Sequence, residues 1–184
     1  MNDEQIQEVV PEMRDRLKVN RFGKMTGSQW VDIVTAPLVT LMLLIAPAAV
    51  LFSTRLIFLT ARGLWLVGIV VLIVVLITII SRAYRYARAP VQFATLHARG
   101  FSQPFWRIWR PLVMYTEDGE EIVFKRRLAP PLTIVAGRAY IVYYLHEPHE
   151  NVLLSIAPAD HPDVTYWQPT STFKLSLNKR SNRP

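Results

Sequence analysis

The chain has 184 residues, of which 51% are hydrophobic and 19% charged, and its net charge is +7 at pH 7. Ordinary soluble domains carry about a quarter charged residues and disordered chains are far less apolar, so this composition predicts apolar residues concentrated in a membrane-spanning block. The length excludes a large multi-domain enzyme, and the absence of cysteine excludes disulfides, cysteine nucleophiles and thiolate metal sites.

The predicted fold class is membrane α+β, with an N-terminal amphipathic segment, a two-helix transmembrane hairpin and a small C-terminal antiparallel β-barrel or sandwich. Residues 1–32 form the first segment. Ile6, Val9, Val10, Met13 and Leu17 recur there at three- and four-residue steps, the spacing of one helical face, with Pro11 in or near the first turn. Trp30 stands where an interfacial anchor is expected.

Two charge-free runs follow, 33–54 and 63–81, of 22 and 19 residues. A helix of about 20 residues crosses a hydrocarbon core of roughly 30 Å, so each run is long enough to span. Only residues 55–62 separate them, which predicts antiparallel neighbours with both termini on one side. Residues 1–32 hold five basic residues and residues 82–110 hold six arginines without Asp or Glu, against two arginines in the connecting loop. Basic residues at span ends favour the cytoplasm, so a multi-pass inner-membrane protein with both termini cytoplasmic is expected. Neither run contains an ionisable residue, and Thr35, Thr40, Ser53 and Thr78 are expected to bond their own helices, which argues against transport by this chain alone.

The segment 82–110 interleaves Arg82, Arg85, Arg88, Arg107 and Arg110 with aromatics that include Trp106 and Trp109. Contact with the membrane surface is the function these residues and Trp30 suggest. A juxtamembrane basic cluster gains about 1 kcal/mol per charge near anionic lipid, although the topology rule and an aromatic belt already account for such a cluster. His97 lies in what reads as a helical stretch beside the membrane. Nucleic acid is not expected as a partner, because no recognisable binding motif is present.

From Pro111 the pattern shortens to runs that fit a β-domain over 111–169. PLVMYT and EIVFKRR flank Asp118-Gly119, a strong hairpin signal, and RAYIVYYL and NVLLSIAP flank EPHE as a second hairpin. LAPPLTIVAG reads as a connection with room for one short strand, and 164–167 as a closing strand. Five or so strands of this size suit a small barrel or sandwich. Residues 170–184 read as a flexible basic tail.

His146, His149 and His161, with neighbouring carboxylates, are candidate metal ligands if their loops meet in space. They match none of the known zinc or hydrolase signatures, and solvated turns explain polar loop residues equally well. No phosphate loop or nucleophile elbow occurs, so no cofactor and no enzymatic activity are expected, with a metal-dependent hydrolase as the remaining alternative.

The block Gly137-Arg138-Ala139-Tyr140-Ile141-Val142-Tyr143-Tyr144 followed by EPHENVLLSIAP resembles the C-terminal β-domain of small two-span bacterial membrane proteins of unknown function. In these a G-x-x-Y-x-V-Y-Y strand precedes a polar turn and an L-L-S-I strand. The resemblance covers about a third of the chain and implies a domain of SH3-like or OB-like kind with no catalytic residues. By analogy the arrangement is also similar to NfeD-like proteins, whose OB-type barrel follows membrane spans and is thought to work with membrane scaffolds. The expected function is that of an integral membrane accessory or scaffold protein. Its cytoplasmic β-domain would bind a membrane-protein partner or a second copy through Tyr115, Phe124, Tyr140, Tyr143, Tyr144, Tyr166 or Trp167. The alternative is a module facing anionic lipid.

Overall fold

The computed structural model describes residues 8–35, 39, 61–98, 111–148, 150–171 and 173. The chain divides into two compact units, Met1–Thr26 with Ala89–Pro184, and Gly27–Arg88.

The first unit is built on a closed five-stranded barrel. Its strands are β1 (Val91–His97), β2 (Leu112–Tyr115), β3 (Glu121–Arg127), β4 (Ala139–His146) and β5 (Asn151–Pro158). Around the barrel the order is β1-β2-β3-β5-β4, and β4 returns to β1. Both sequence-predicted hairpins form. Tyr115 pairs with Glu121 across the first, where Gly119 takes φ +85°, and His146 pairs with Asn151 across the second. A positive φ of this kind is open to glycine at little cost, which is why the Asp-Gly pair directs the turn.

The expectation of a wholly antiparallel sheet is corrected at one place, since β3 and β5 pair in parallel, from Phe124↔Asn151 to Arg127↔Leu153. A parallel pair needs a crossover, and β4 supplies it by lying on the far side of β5. The closing strand is also not the expected one. Residues 164–167 form a short helix, whereas Val91–His97, inside the segment read as basic and juxtamembrane, pairs with β4 along all seven residues. His97 therefore ends a strand instead of lying in a helix, and it also pairs with Tyr115 of β2.

Strand β4 is buried on both faces, with Tyr140, Ile141, Val142, Tyr143, Tyr144 and Leu145 all nearly inaccessible. On one face Tyr144 meets the buried Phe124 edge-on at 5.5 Å. On the other, Tyr143 packs against Phe93 and Phe173 and donates its hydroxyl to the carbonyl of Trp167 at 2.6 Å.

Helix α1 (Pro11–Asn20) packs on β5 and buries Met13, Arg16, Leu17 and Asn20. Proline at the first helical position costs no hydrogen bond and presets φ. The expected apolar face is present in Val9, Met13 and Leu17, while Val10 is exposed and Ile6 lies outside the described residues. Met13 accepts a hydrogen bond from the amide of Ile156 at its sulfur, 3.5 Å away. Arg16, almost fully buried, donates to the carbonyl of Leu128 and holds Glu12 at 2.7 Å. The N-terminal segment as far as Thr26 is thus part of the barrel unit. So is the start of the tail: Phe173 is buried, and its ring lies so close to Gly23, at φ +73°, that a Cβ there would stand 2.8 Å from it.

The second unit holds α2, described over 27–35, and α3 (Ala61–Arg88). Within α3, Val70–Arg88 is long and apolar enough to cross a membrane, with mean hydropathy 1.8. It is the one such helix among the described residues. Most of the first apolar run, 33–54, lies outside them, so a two-helix hairpin is not part of the described structure. Val70, Leu72, Ile73, Val74, Leu76, Ile77 and Ile80 are all exposed. At 100° per residue they sweep an arc of about 200°. Thr35 and Thr78 each donate to the carbonyl four residues earlier, at 2.9 and 2.8 Å, so their hydroxyls are satisfied within their own helices.

Candidate functional site

The membrane-surface residues expected from sequence fall into separate places. Arg82, Arg85 and Arg88 occupy the last two turns of α3, a fan of about 120° at three-residue spacing. Arg85 and Arg88 are exposed, Arg82 is half-buried, and the Arg88 guanidinium lies 4.1 Å from the centre of the Tyr84 ring. Trp30 is half-buried in α2. Arg107, Arg110, Trp106 and Trp109 lie outside the described residues, on the connection between β1 and β2. They are separated from the end of α3 by the whole of β1, so the run that looked continuous in sequence is interrupted by a barrel strand.

The histidine loops do not meet. His146 ends β4 and His161 follows β5, and because these strands are antiparallel the two residues stand at opposite ends of an eight-residue hairpin. At about 3.3 Å per residue that is more than 20 Å, far beyond a shared coordination sphere. His146 is exposed, with its Nδ1 3.0 Å from Oδ1 of Asn151. His161 is buried, stacked on Trp167 at 4.6 Å, and its Nδ1 accepts a hydrogen bond from the amide of Asp163 at 3.1 Å. Burial lowers its pKa, opposed by the nearby Asp163 carboxylate. His149 lies outside the described residues. No group of three His, Asp or Glu side chains converges among the described residues.

Most of the aromatics expected at a contact surface belong to the core. Phe124, Tyr140, Tyr143, Tyr144 and Trp167 are buried, which raises the hydroxyl pKa of Tyr140, Tyr143 and Tyr144 by desolvation. Their polar ends are used inside the fold. Tyr140 accepts at its hydroxyl from the amide of Val135 at 2.8 Å, and Tyr144 donates to Gln92 at 2.6 Å. Tyr166 remains exposed and Tyr115 half-exposed.

Around Tyr115 the barrel carries an outward strip that sequence reasoning missed. In β2, Leu112 and Met114 point inward and are buried, so Val113 and Tyr115 take the other face. Across the ladder Val113 pairs with Val123 and Tyr115 with Glu121, and Val113 and Val123 are half-exposed. Alternation in PLVMYT and EIVFKRR could have located this strip, but only by knowing which face turned inward. Beside it a cleft of about 470 Å³ is lined by His97, Ala98, Thr116, Glu117 and Gly137. On the other side of Gly137, Arg138 grips Asp160 with two hydrogen bonds, Nε to Oδ2 at 2.9 Å and Nη2 to Oδ1 at 2.8 Å.

Comparison with protein-family models, with curated proteins and with solved structures finds no match to this chain.

Proposed function

We propose that this chain is a non-enzymatic integral membrane protein of the bacterial inner membrane. Two antiparallel spans hold an OB-type barrel at the cytoplasmic face, where it serves as an accessory or scaffold subunit by binding a membrane-protein partner or a second copy. The observation that carries the membrane part is the exposed apolar arc of α3, which is stable in lipid and costly in water. The barrel order β1-β2-β3-β5-β4 with its parallel β3–β5 pair supports the OB assignment.

Support for two crossings comes from α1. Residues on either side of the helical unit fold together, with Met13 and Arg16 of α1 bonded to β5 and to Leu128. A chain that leaves this unit and returns to it crosses the membrane an even number of times. Given α3 as one crossing, the apolar run 33–54 is the second. The arginines after α3 favour the cytoplasm for both ends.

The partner surface we assign is Val113, Tyr115 and Val123, since the fold alone carries no ligand and half-exposed apolar strips are where interfaces form. Crosslinking from a photoreactive residue at Tyr115 in intact membranes tests it. A discrete adduct that disappears in Val113→Glu, with barrel circular dichroism unchanged, is expected; an adduct pattern indifferent to that substitution rejects the surface. A reporter active only outside the cytoplasm, fused after Pro184, should stay silent, and activity there rejects the orientation.

The anionic-lipid reading keeps one specific observation, the exposed Arg85 and Arg88 at the end of α3. It concerns how the protein sits on the bilayer and is compatible with a protein partner.

A further inference from the structure

Among the described residues the barrel leaves two stretches of strand edge outside its ladders, and only one of them is covered. Beyond Leu153, where the pairing with β3 ends, β5 is closed off by α1. The Ile156 amide donates to the sulfur of Met13 at 3.5 Å, and Arg16 of the same helix holds the Leu128 carbonyl. The other stretch is the first part of β1.

The direction of its backbone follows from the ladder. The His146 amide donates to the Pro90 carbonyl and the Ala98 amide to the Arg138 carbonyl, both at 3.2 Å, and no register shift lies between them. In an antiparallel pair such bonds fall on alternate residues, so the even-numbered positions of β1 bond to β4. Val91, Phe93 and Thr95 therefore turn their N–H and C=O groups to the opposite side. There His97 pairs with Tyr115, the single pair of β1 with β2 among the described residues, and Val91, Phe93 and Thr95 find no partner among them. A row of unpaired backbone groups is a template for another strand. Between Val91 and His97 there is no lysine, proline or bulge to discourage one.

The ground beside this edge is acidic. Glu117, Asp118, Glu120 and Glu121 place four of the fourteen carboxylates within five positions of a chain whose net charge is +7. All four are exposed, and none is ion-paired among the described residues. Counting on from His97↔Tyr115, Asp118 and Gly119 come opposite Ala94 and Phe93, yet no ladder forms there. Burial, and after it the Glu120 carboxylate, raises the hydroxyl pKa of Tyr144, which donates to Gln92, so this carboxylate lies near the first half of β1. At the other end Glu117 and Thr116 share with His97 the cleft of about 470 Å³, room for a long side chain.

We infer that the Val91–Thr95 edge of β1 takes an added strand, an extended segment of a partner protein in which apolar and basic residues alternate. Its backbone bonds to the outward groups of Val91, Phe93 and Thr95, its apolar residues lie along the half-buried Phe93, and its lysines or arginines meet the carboxylates of the 117–121 turn. A second copy is the poorer occupant, because pairing two such edges would crowd both acidic turns together. The inference depends on neither the spans nor the Val113–Val123 strip.

The test uses the full-length protein in dodecyl maltoside, with a dye-labelled octapeptide of alternating valine and lysine as the probe and fluorescence anisotropy as the readout. Saturable binding is expected. N-methylation of the peptide's backbone amides and Thr95→Pro should each weaken it about tenfold or more. The proline removes an outward amide and spares the β4 ladder. Glu117→Gln, Asp118→Asn, Glu120→Gln and Glu121→Gln combined should weaken it several-fold while keeping the hairpin, since Asn-Gly serves the same turn. Hydrogen exchange in the parent chain needs no variant: the peptide should slow the amides of Phe93 and Thr95 and leave Ala94 and Leu96 unchanged. Absence of saturable binding, or an affinity indifferent to methylation or to Thr95→Pro, overturns the added strand. Binding that appears only after removal of residues 174–184 makes the chain's own basic segment the occupant, and exchange at Phe93 and Thr95 that slows with protein concentration alone makes it a second copy. Either result overturns the partner strand.

Discussion

Residues 70–80 of α3 and 140–145 of β4 are both nearly continuous apolar runs, yet eight side chains of the first are exposed while every one of the second is 7% exposed or less. The strand finds its apolar surroundings inside the protein: Phe124 lies on one side, and Phe93, Phe173 and the α4 turn (Val164–Trp167) lie on the other. Among the described residues nothing gives the helix comparable cover, and its backbone is satisfied internally, as a segment in lipid would require. Apolar content alone therefore does not say where a segment belongs. What separates the two, among the described residues, is whether other parts of the chain return to cover the run.

The comparison is broken most severely at Tyr143. Replacing it with Ala removes a ring that touches Phe93 and Phe173 and should lower barrel stability by about 3–5 kcal/mol. Tyr143→Phe keeps the ring, loses only the bond to Trp167, and should cost about 1 kcal/mol. Denaturant titration of the full chain in detergent, followed by near-ultraviolet circular dichroism, reads both; equal losses would refute the packing account.

A charge on the helix gives the complementary result. Ile77→Arg should oppose membrane insertion by about 2.5–3.5 kcal/mol, seen as carbonate-extractable protein, while the denaturation midpoint of the barrel stays put. Insertion that ignores the substitution would mean that this face of α3 does not meet lipid.

The smallest effect sharpens the same contrast through pH. Burial lowers the His161 pKa, so the folded barrel binds fewer protons there than the unfolded chain does. The associated stability is complete above the ordinary histidine value of about 6.5 and is lost as pH falls through the lowered one. Asp163, Asp160, Arg138 and Arg14 surround this group, and on protonation the Nδ1 that accepts from Asp163 becomes a donor. The denaturation midpoint should therefore drop from about pH 7 to 5, and His161→Phe, which keeps the stack on Trp167, should flatten the drop. Extraction of the Ile77→Arg variant should be indifferent to His161.

Much was legible without coordinates where the signal is local. The length and apolarity of 63–81 announce a helix of spanning size, and alternating residues around Asp118-Gly119 and around EPHE announce two hairpins. Each feature depends on neighbours a few residues away. The candidate site was less legible. Whether the loops of His146 and His161 meet is open in the sequence, and only the antiparallel pairing of β4 with β5 puts the two residues at opposite ends. The aromatics of 140–144 looked available because alternation promises one outward face, whereas Phe173 and Trp167 cover that face from afar.

The sequence by itself determined the apolar helix, the hairpin turns and the proline-led start of α1, because helix length, glycine φ and proline geometry are properties of short segments. Only the tertiary structure decided which strand closes the barrel. VQFATLH carries no stronger local strand pattern than VTYW, yet the first completes a seven-residue ladder with β4, while the second turns into a helix that buries Trp167. The same holds for α1, whose Arg16 has no local reason to be buried and becomes so by reaching Leu128, 112 residues away. Such choices are made by burial and hydrogen bonding between distant residues, and those energies are not written in any single window of the chain.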